Sequence, residues 1–561
     1  MSSPLVGRAR LFAALVVIAF GFGTAEVLAS QSGADGQPNI LFIFLDDLGW
    51  KDTGYMGSDF YETPHIDKLA RGGMVFTDAY SCAANCAPAR ASLLSGQYTP
   101  RHQIYNVGTK PRGNSAHRRL QHVPGVSTLD PSIKTWAHQL QAAGYETATM
   151  GKWHLSDDPV PYGFDVNIGG THSGGPPKGY YPPHPNAPGL KESPQGEFLT
   201  DRLCNEACEF IKTNKDKRWM LYLTLFAVHT PIQAKKELVE KYESKQSGEL
   251  HNHVAMATMI QAVDDGVGRI VETLELLELR DDTVIFFYSD NGGYGPATDM
   301  DPLKGYKGTY YEGGIRVPFF INWPGVVQPE QTNKEPIIGV DIYPTLCEIA
   351  GASLPENQVV DGVSLIPLFK GEVEDLNHDG QPRTLYWHFP AYLQSYQRVH
   401  DEQRDPLFRS RPCSVIRKGK WKLIQFFESG DVELYDLSQD LSETNDVAAD
   451  NLSVMQTMQS ELRDWQTKTN ATIPATTNPD FDEAAEAAAI KKLKSKSNGN
   501  RKPGKSKIAL MLHQPKLEKN VFLTSEFRVL KKSIRSNLVS ELLSKRDWSF
   551  AVSVYAVVDL N

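Results

Sequence analysis

Residues 40–47 read Ile-Leu-Phe-Ile-Phe-Leu-Asp-Asp, an unbroken apolar run that stops at two adjacent carboxylates, Asp46 and Asp47. A run this short, ended by polar residues, has the pattern of a strand buried on both faces, as in a parallel sheet. Three more runs repeat it. Residues 145–150 end in Gly151-Lys152-Trp153-His154, residues 219–228 in His229-Thr230-Pro231, and residues 283–289 in Asp290-Asn291-Gly292-Gly293. Helix-like segments lie between, around 129–143 and 254–279. Strands alternating with helices predict an open α/β sheet, and ligands of such sheets sit outside the carboxyl ends of the strands. Each run carries its polar groups at that end. Singly, an aspartate there is a common cap or turn residue and a lone histidine an ordinary surface or core residue. Together the four ends predict one shared site.

A second stretch, Cys86-Ala87-Pro88-Ala89-Arg90 leading into Ala91-Ser92-Leu93-Leu94-Ser95-Gly96, reads as the start of a helix. Pro88 suits a first turn, where its missing N–H costs nothing. The positive end of that helix would lie beside residue 86 and favour an anion, and Arg90 adds a bidentate-capable charge. The plainer alternative is a buried cysteine acting as a small hydrophobe. Asp46, Asp47, Asp290 and Asn291 offer oxygen donors only, a set that suits Ca²⁺ or Mg²⁺ better than zinc. Adjacent carboxylates at one strand end repel unless a cation sits between them.

The chain has 561 residues, 40% hydrophobic and 22% charged, with a formal net charge of −9. That length accommodates one large and one small domain. The negative balance argues against nucleic-acid binding while leaving room for a local basic pocket. Arg8 and Arg10, the apolar residues 11–22 and Val27-Leu28-Ala29 read as a signal peptide over 1–29, hence a secreted or periplasmic protein. The apolar run is short for a membrane anchor, and nothing later resembles a span. Six cysteines are too few for a disulfide scaffold. Cys204 and Cys208, four apart, could be a redox or metal pair or simply buried thiols.

The larger domain is expected over 38–370 and a smaller α+β subdomain over 380–472. In the latter, 385–389, 414–417, 421–427 and 433–435 resemble short strands and 452–465 an amphipathic helix. Residues 473–561 read as linker and tail, partly disordered, with lysines mixed into Ser, Gly, Asn and Pro at 491–507 and one apolar run at 550–558.

The Cys86-to-Arg90 signature resembles that of the type I sulfatases. So do the ordered blocks Gly151-Lys152-Trp153-His154, Ser289-Asp290-Asn291-Gly292, 307–314 with Arg316-Val317-Pro318, and 341–345, so that the resemblance covers roughly 39–465. It implies an alkaline-phosphatase-like fold: a large mixed, mostly parallel sheet sandwiched by helices, with a smaller C-terminal α+β subdomain. It implies a sulfuric ester hydrolase of arylsulfatase type. Its Cys86 would be oxidised to formylglycine (3-oxoalanine) by a formylglycine-generating enzyme. Ca²⁺, ahead of Mg²⁺, would be bound by Asp46, Asp47, Asp290, Asn291 and residue 86.

The resemblance also implies roles. The hydrated aldehyde attacks sulfur and releases the alcohol; its second hydroxyl then loses a proton, expels sulfate and restores the aldehyde. Arg90 orients the hydrate and His154 takes that proton. Lys152 and Lys307 hold sulfate oxygens, and His229 protonates the leaving oxygen. The sequence departs from the family at Ala89, usually Ser or Thr, and mildly at Ser95, usually Thr. The first departure bears on how efficiently Cys86 is oxidised. The expected substrate is a sulfated small molecule or polysaccharide, with His172 in the loop 169–189 a candidate contact and Trp387-His388 and Tyr180-Tyr181 candidate sugar-facing aromatics. The alternatives are a phosphonate monoester or phosphodiester hydrolase of the same superfamily, or an inactive carbohydrate-binding relative.

Overall fold

The structure, a computed structural model, describes residues 36–377, 379–396, 404 and 406–500. Its main sheet has eight strands in the spatial order Val166–Ile168, Glu146–Gly151, Trp219–Thr224, Asn39–Leu45, Thr283–Ser289, Phe319–Asn322, Met74–Phe76, Gln331–Asn333. All neighbours pair parallel except those of Phe319–Asn322, which runs antiparallel to both of its partners. Asn39–Leu45 is central. Ile40, Phe42 and Phe44 enter the core on one face and Leu41, Ile43 and Leu45 the core on the other. Each such side chain contributes on the order of 2 kcal/mol on burial, which is why the run tolerates no polar residue until the sheet edge.

Helices Pro64–Arg71, Leu199–Thr213 and Val254–Leu276 cover one face, and Cys86–Ser95, Trp136–Ala142 and Ile342–Ala350 the other. The mostly parallel, two-sided sheet expected from the four runs is therefore present. Two boundaries differ. The strand read over 219–228 ends at Thr224; beyond it Leu225 and Val228 donate their N–H groups to Phe44 and Asp46 as the chain folds over the sheet edge. The helix read over 129–143 begins only at Trp136, where Thr135 and His138 form its capping box.

A four-stranded antiparallel sheet, Thr384–Phe389, Cys413–Lys418, Trp421–Phe426 and Val432–Asp436, carries the helix Leu452–Lys468, with Trp465 stacked on Tyr386 at 4.7 Å. Buried charges hold this subdomain on the larger one. Lys422 Nζ lies 2.9 Å from Glu312 and 2.8 Å from Glu443, while Tyr80 donates to Glu312 at 2.6 Å.

Where it is described, over 473–500, the expected linker is tied to the rest of the structure. Thr477 bridges to Leu120, Asn478 Nδ2 donates to the Arg118 carbonyl at 2.8 Å, and Glu486 pairs with Arg411 at 2.8 Å and Arg119 at 3.2 Å. Glu483–Asn500 is a helix, in keeping with its alanine, glutamate and lysine content. The leader expected in 1–29 and the apolar run 550–558 lie outside the described residues. No helix among the described residues is long and apolar enough to cross a membrane.

Candidate active site

The strand ends converge. Asp46 and Asp47 follow Asn39–Leu45, Asp290 and Asn291 follow Thr283–Ser289, Lys152 and His154 follow Glu146–Gly151, and His229 follows the turn after Trp219–Thr224. Cys86 opens the helix Cys86–Ser95 and Arg90 stands one turn along it, both buried. Ligand atoms of Asp46, Cys86 and Asp290 lie within 4.8 Å of one another, as do those of Asp46, Asp47 and His229.

Three carboxylates face three cations. Arg90 reaches Asp290 Oδ2 with Nε at 3.0 Å and Nη2 at 2.8 Å, and its Nη1 donates to the Lys152 carbonyl at 3.0 Å and to Thr224 Oγ1. Lys152 Nζ is 2.7 Å from Asp46 Oδ2, and Lys307 Nζ is 2.6 Å from Asp47 Oδ1. Asn291 Nδ2 donates to Asp47 Oδ1 at 2.8 Å. Burial raises the Asp46 and Asp290 carboxyls to about 6 in spite of Lys152 and Arg90. Burial acts the same way on Asp47, but Lys307, His229 and Lys152 outweigh it and hold that carboxyl low. At Cys86 burial is likewise overcome, by Lys152 and Lys307, so the thiol lies below its ordinary range.

The two histidines differ. His229 Nδ1 lies 2.8 Å from the Thr230 carbonyl, which can only accept, so Nδ1 carries the proton and Nε2 faces Asp47 Oδ2 at 3.9 Å. Burial and then Lys307 push His229 down to about 4. His154 is lowered well below its ordinary value by burial, Lys152 and Arg90, and its Nδ1 has no hydrogen-bond partner. Asp47 and His154 both have left-handed backbones, φ 64° and 67°. For non-glycine residues that conformation costs about 1–2 kcal/mol and concentrates at functional sites. The Asp47 N–H is held by Asp290 Oδ1 at 3.2 Å and the His154 N–H by the Thr171 carbonyl at 2.9 Å.

Whether this set suits a divalent cation can be judged from its own atoms. Asp46 Oδ1 and Asn291 Oδ1 are buried and accept no hydrogen bond. Ligand atoms of Asp46 lie within 4.8 Å of those of both Asp47 and Asp290, and Asn291 is bonded to Asp47, so a cation there would give the unpaired oxygens a partner and keep the raised carboxyls ionised. The residues fit the group.

All ten expected catalytic and metal-site positions thus cluster, and half-buried His172 stands near enough for its charge to be felt at His154. Thr224, which seats Arg90, escaped notice because it lies inside an apolar run. Ser81, whose Oγ donates to the Asp290 carbonyl, carries no sequence signal. The aromatic expectation is corrected for three of its four residues: Trp387 and Tyr180 are buried, their polar atoms spent on the Ser81 carbonyl and the Phe226 and His229 carbonyls, and His388 lies between Ser414 and Thr472, while Tyr181 is half-buried with its hydroxyl on the Ala234 carbonyl. The first three are core because both strands and loop turn them inward. Cys204 and Cys208 are buried, unbridged thiols.

The sulfatase family model matches residues 38–352, and a model described as N-sulphoglucosamine sulphohydrolase, C-terminal, matches 306–469. A sulfatase of Formosa agariphila is 32% identical over 543 residues, covering 81% of this chain and 94% of its own. The N-acetylgalactosamine-6-sulfatase of Homo sapiens is 30% identical over 377 residues, 61% of this chain and 68% of its own. The crystal structure of Ps i-CgsB in complex with k-i-k-neocarrahexaose superposes with a TM-score of 0.63 at 29% identity, covering 82% of this chain and 98% of that one. With its fold, its converged strand ends and these matches, the chain belongs to the sulfatase family and is a hydrolase of sulfate esters.

Proposed function

We propose that the esters are those of sulfated carbohydrates, small or polymeric, and that the reaction uses formylglycine derived from Cys86 together with Ca²⁺ held by Asp46, Asp47, Asp290 and Asn291 beside residue 86. The observation that carries the reading is the pair of unpartnered oxygens, Asp46 Oδ1 and Asn291 Oδ1, beside a cysteine at a helix start ringed by Arg90, Lys152 and Lys307. The carbohydrate class is supported by the amino-sugar ester named for the human relative and the oligosaccharide bound to Ps i-CgsB.

Oxidation of Cys86 by a formylglycine-generating enzyme would leave an aldehyde whose hydrate offers a nucleophilic hydroxyl. A bound divalent cation would offset repulsion between that hydroxyl and the sulfate oxygens. The other parts belong to the chain. Arg90 locks Asp290 and the helix carrying residue 86 against the sheet edge. Lys152 and Lys307 bond the carboxylates that would hold the cation, and their ammonium groups would hold sulfate oxygens. His229, its Nδ1–H fixed on Thr230, turns Nε2 toward the site; a sulfate anion there opposes the push from Lys307 and lets His229 carry the proton for the leaving oxygen. His154, kept neutral by burial and neighbouring cations, would accept a proton from residue 86. Export by a leader at 1–29 belongs to the same reading, since it would bring the enzyme to extracytoplasmic substrates.

The test is mass spectrometry of the peptide carrying Cys86, from protein made with a formylglycine-generating enzyme, alongside turnover of an aryl sulfate and an aryl phosphodiester. The expected results are a CHO group in place of CH2SH and preference for the sulfate. An intact thiol in active protein would sink the formylglycine mechanism, and preference for the diester would sink the substrate class.

A further inference from the structure

Beside Lys307, a short hairpin of the C-terminal subdomain reaches the rim of the site. Its strands are Leu393–Gln394 and Phe408–Ser410, paired antiparallel. Arg409, half-buried, stands on the second. Its Nη1 donates to the Lys307 carbonyl at 3.1 Å and its Nε to the Gln394 carbonyl at 3.0 Å. Its guanidinium carbon lies 3.8 Å from the centre of the Tyr396 ring. Tyr396 is itself packed on Tyr294 at 5.1 Å and Tyr306 at 5.8 Å. Tyr306 immediately precedes Lys307 and Tyr294 follows Asn291 by three residues, so this aromatic support is continuous with the site.

Arg409 is set apart by its place beside Lys307 and by what holds it there. Three nearby arginines are ion-paired, Arg404 with Asp431 and Glu433, Arg411 with Glu428 and Glu486, Arg119 with Glu486, whereas Arg118 is spent on the Arg112 and Gly113 carbonyls, away from Lys307. Arg409 is held by two neutral carbonyls and a ring face, and among the described residues no carboxylate pairs with it. A guanidinium fixed in this way holds the donors of Nη2 in a preset plane, the arrangement that recognises a sulfate or carboxylate.

We propose that Arg409 is a specificity-determining residue that binds a second anionic substituent, a sulfate or a carboxylate, on the sugar adjoining the ester being cleaved, with Tyr396 as its positioning residue. The inference rests on the sulfated-carbohydrate reading above. It selects, among carbohydrate esters, substrates with more than one negative group on neighbouring sugars.

The test compares kcat/KM on three galactoside disaccharides: one carrying a single sulfate ester, one with a second sulfate on the neighbouring ring, and one with a uronate there. The wild-type enzyme should prefer at least one doubly anionic disaccharide. Arg409→Ala should reduce that preference, as a ratio to the singly sulfated disaccharide, by about tenfold to a hundredfold, the usual range for a charged hydrogen bond. Whichever of the second sulfate and the uronate shows the reduced ratio identifies the group. Arg409→Gln, which can still donate to the Lys307 carbonyl, should reproduce the change and serves if the alanine variant fails to fold. An unchanged ratio in the folded variants, with wild-type turnover intact, overturns this inference alone. Wild-type enzyme that cleaves para-nitrophenyl sulfate but none of the disaccharides overturns the carbohydrate reading and this inference with it.

Discussion

Arg90 grips a single oxygen of Asp290 with two of its nitrogens, Nε at 3.0 Å and Nη2 at 2.8 Å, across 200 positions of sequence. The same guanidinium reaches the Lys152 carbonyl and lies 5.0 Å from the centre of the Phe44 ring. It therefore ties the helix of Cys86 to three strand ends. Arg90→Lys keeps a charge but lacks the planar fork. It should lower turnover of an aryl sulfate by about a hundredfold or more, as loss of a preorganised donor does. Breaking a buried ion pair costs about 3–5 kcal/mol, so Arg90→Met should also lower the melting temperature. Turnover within a few-fold of wild type in a folded Arg90→Lys variant would remove Arg90 from the site's working parts.

Chelation should act on stability as well as activity. A cation present at a hundred times its dissociation constant contributes about 2.7 kcal/mol through its preference for the folded state. Treatment with a chelator should therefore lower both turnover and melting temperature, and Ca²⁺ should restore both. Asp46→Asn or Asp290→Asn should abolish the Ca²⁺-dependent rise in melting temperature. A melting curve indifferent to chelator and Ca²⁺ would count against the metal site.

Gly174 lies against the His154 imidazole. A Cβ there would fall 2.4 Å from Nε2 and 2.5 Å from Cε1, whereas one on Gly175 would meet His229 Nδ1 at an ordinary 3.7 Å. Gly174→Ala must displace the ring or the loop. Misplacement by about 1 Å can cost roughly a hundredfold in rate, so kcat should fall by about that factor while KM and the melting temperature change little. Gly175→Ala should have a much smaller effect. Equal kcat for the two variants would mean that the loop yields and His154 stays in place.

His102 supplies a pH dependence of stability. It is buried beneath the helix Cys86–Ser95, with Nε2 at 2.9 Å from Ser92 Oγ and Nδ1 accepting from the Ile104 N–H at 3.1 Å. Burial lowers it to about 3 from an ordinary 6.5. The unfolded chain thus binds the extra proton at higher pH than the folded one, so stability is full above 6.5 and declines as the pH falls toward 3. Between about pH 7 and pH 5 the expected loss is about 2 kcal/mol from this residue. His102→Gln should flatten that part of the urea-midpoint profile. A variant with the wild-type slope would assign the acid sensitivity elsewhere.

Residues 40–47 alone announced a strand buried on both faces and its carboxylate end, because such a strand must be apolar until it leaves the sheet. The same logic placed Asp290, Lys152 and His154, and the Cys86-to-Arg90 spacing placed two side chains one helical turn apart. Local pattern is sufficient where burial and periodicity are set by the segment itself. It failed where a side chain's meaning depends on what the fold sets opposite it. Trp387 and Tyr180 read as sugar surface and are core, Thr224 hid in an apolar run while seating Arg90, and Glu483–Asn500 is a helix tied by Glu486 to Arg411. Arg409 is the clearest case. Only the docking of one hairpin brings that arginine beside Lys307, on a tyrosine ring and with no ion-pair partner among the described residues, and such a pairing of distant segments is decided by packing rather than by local sequence.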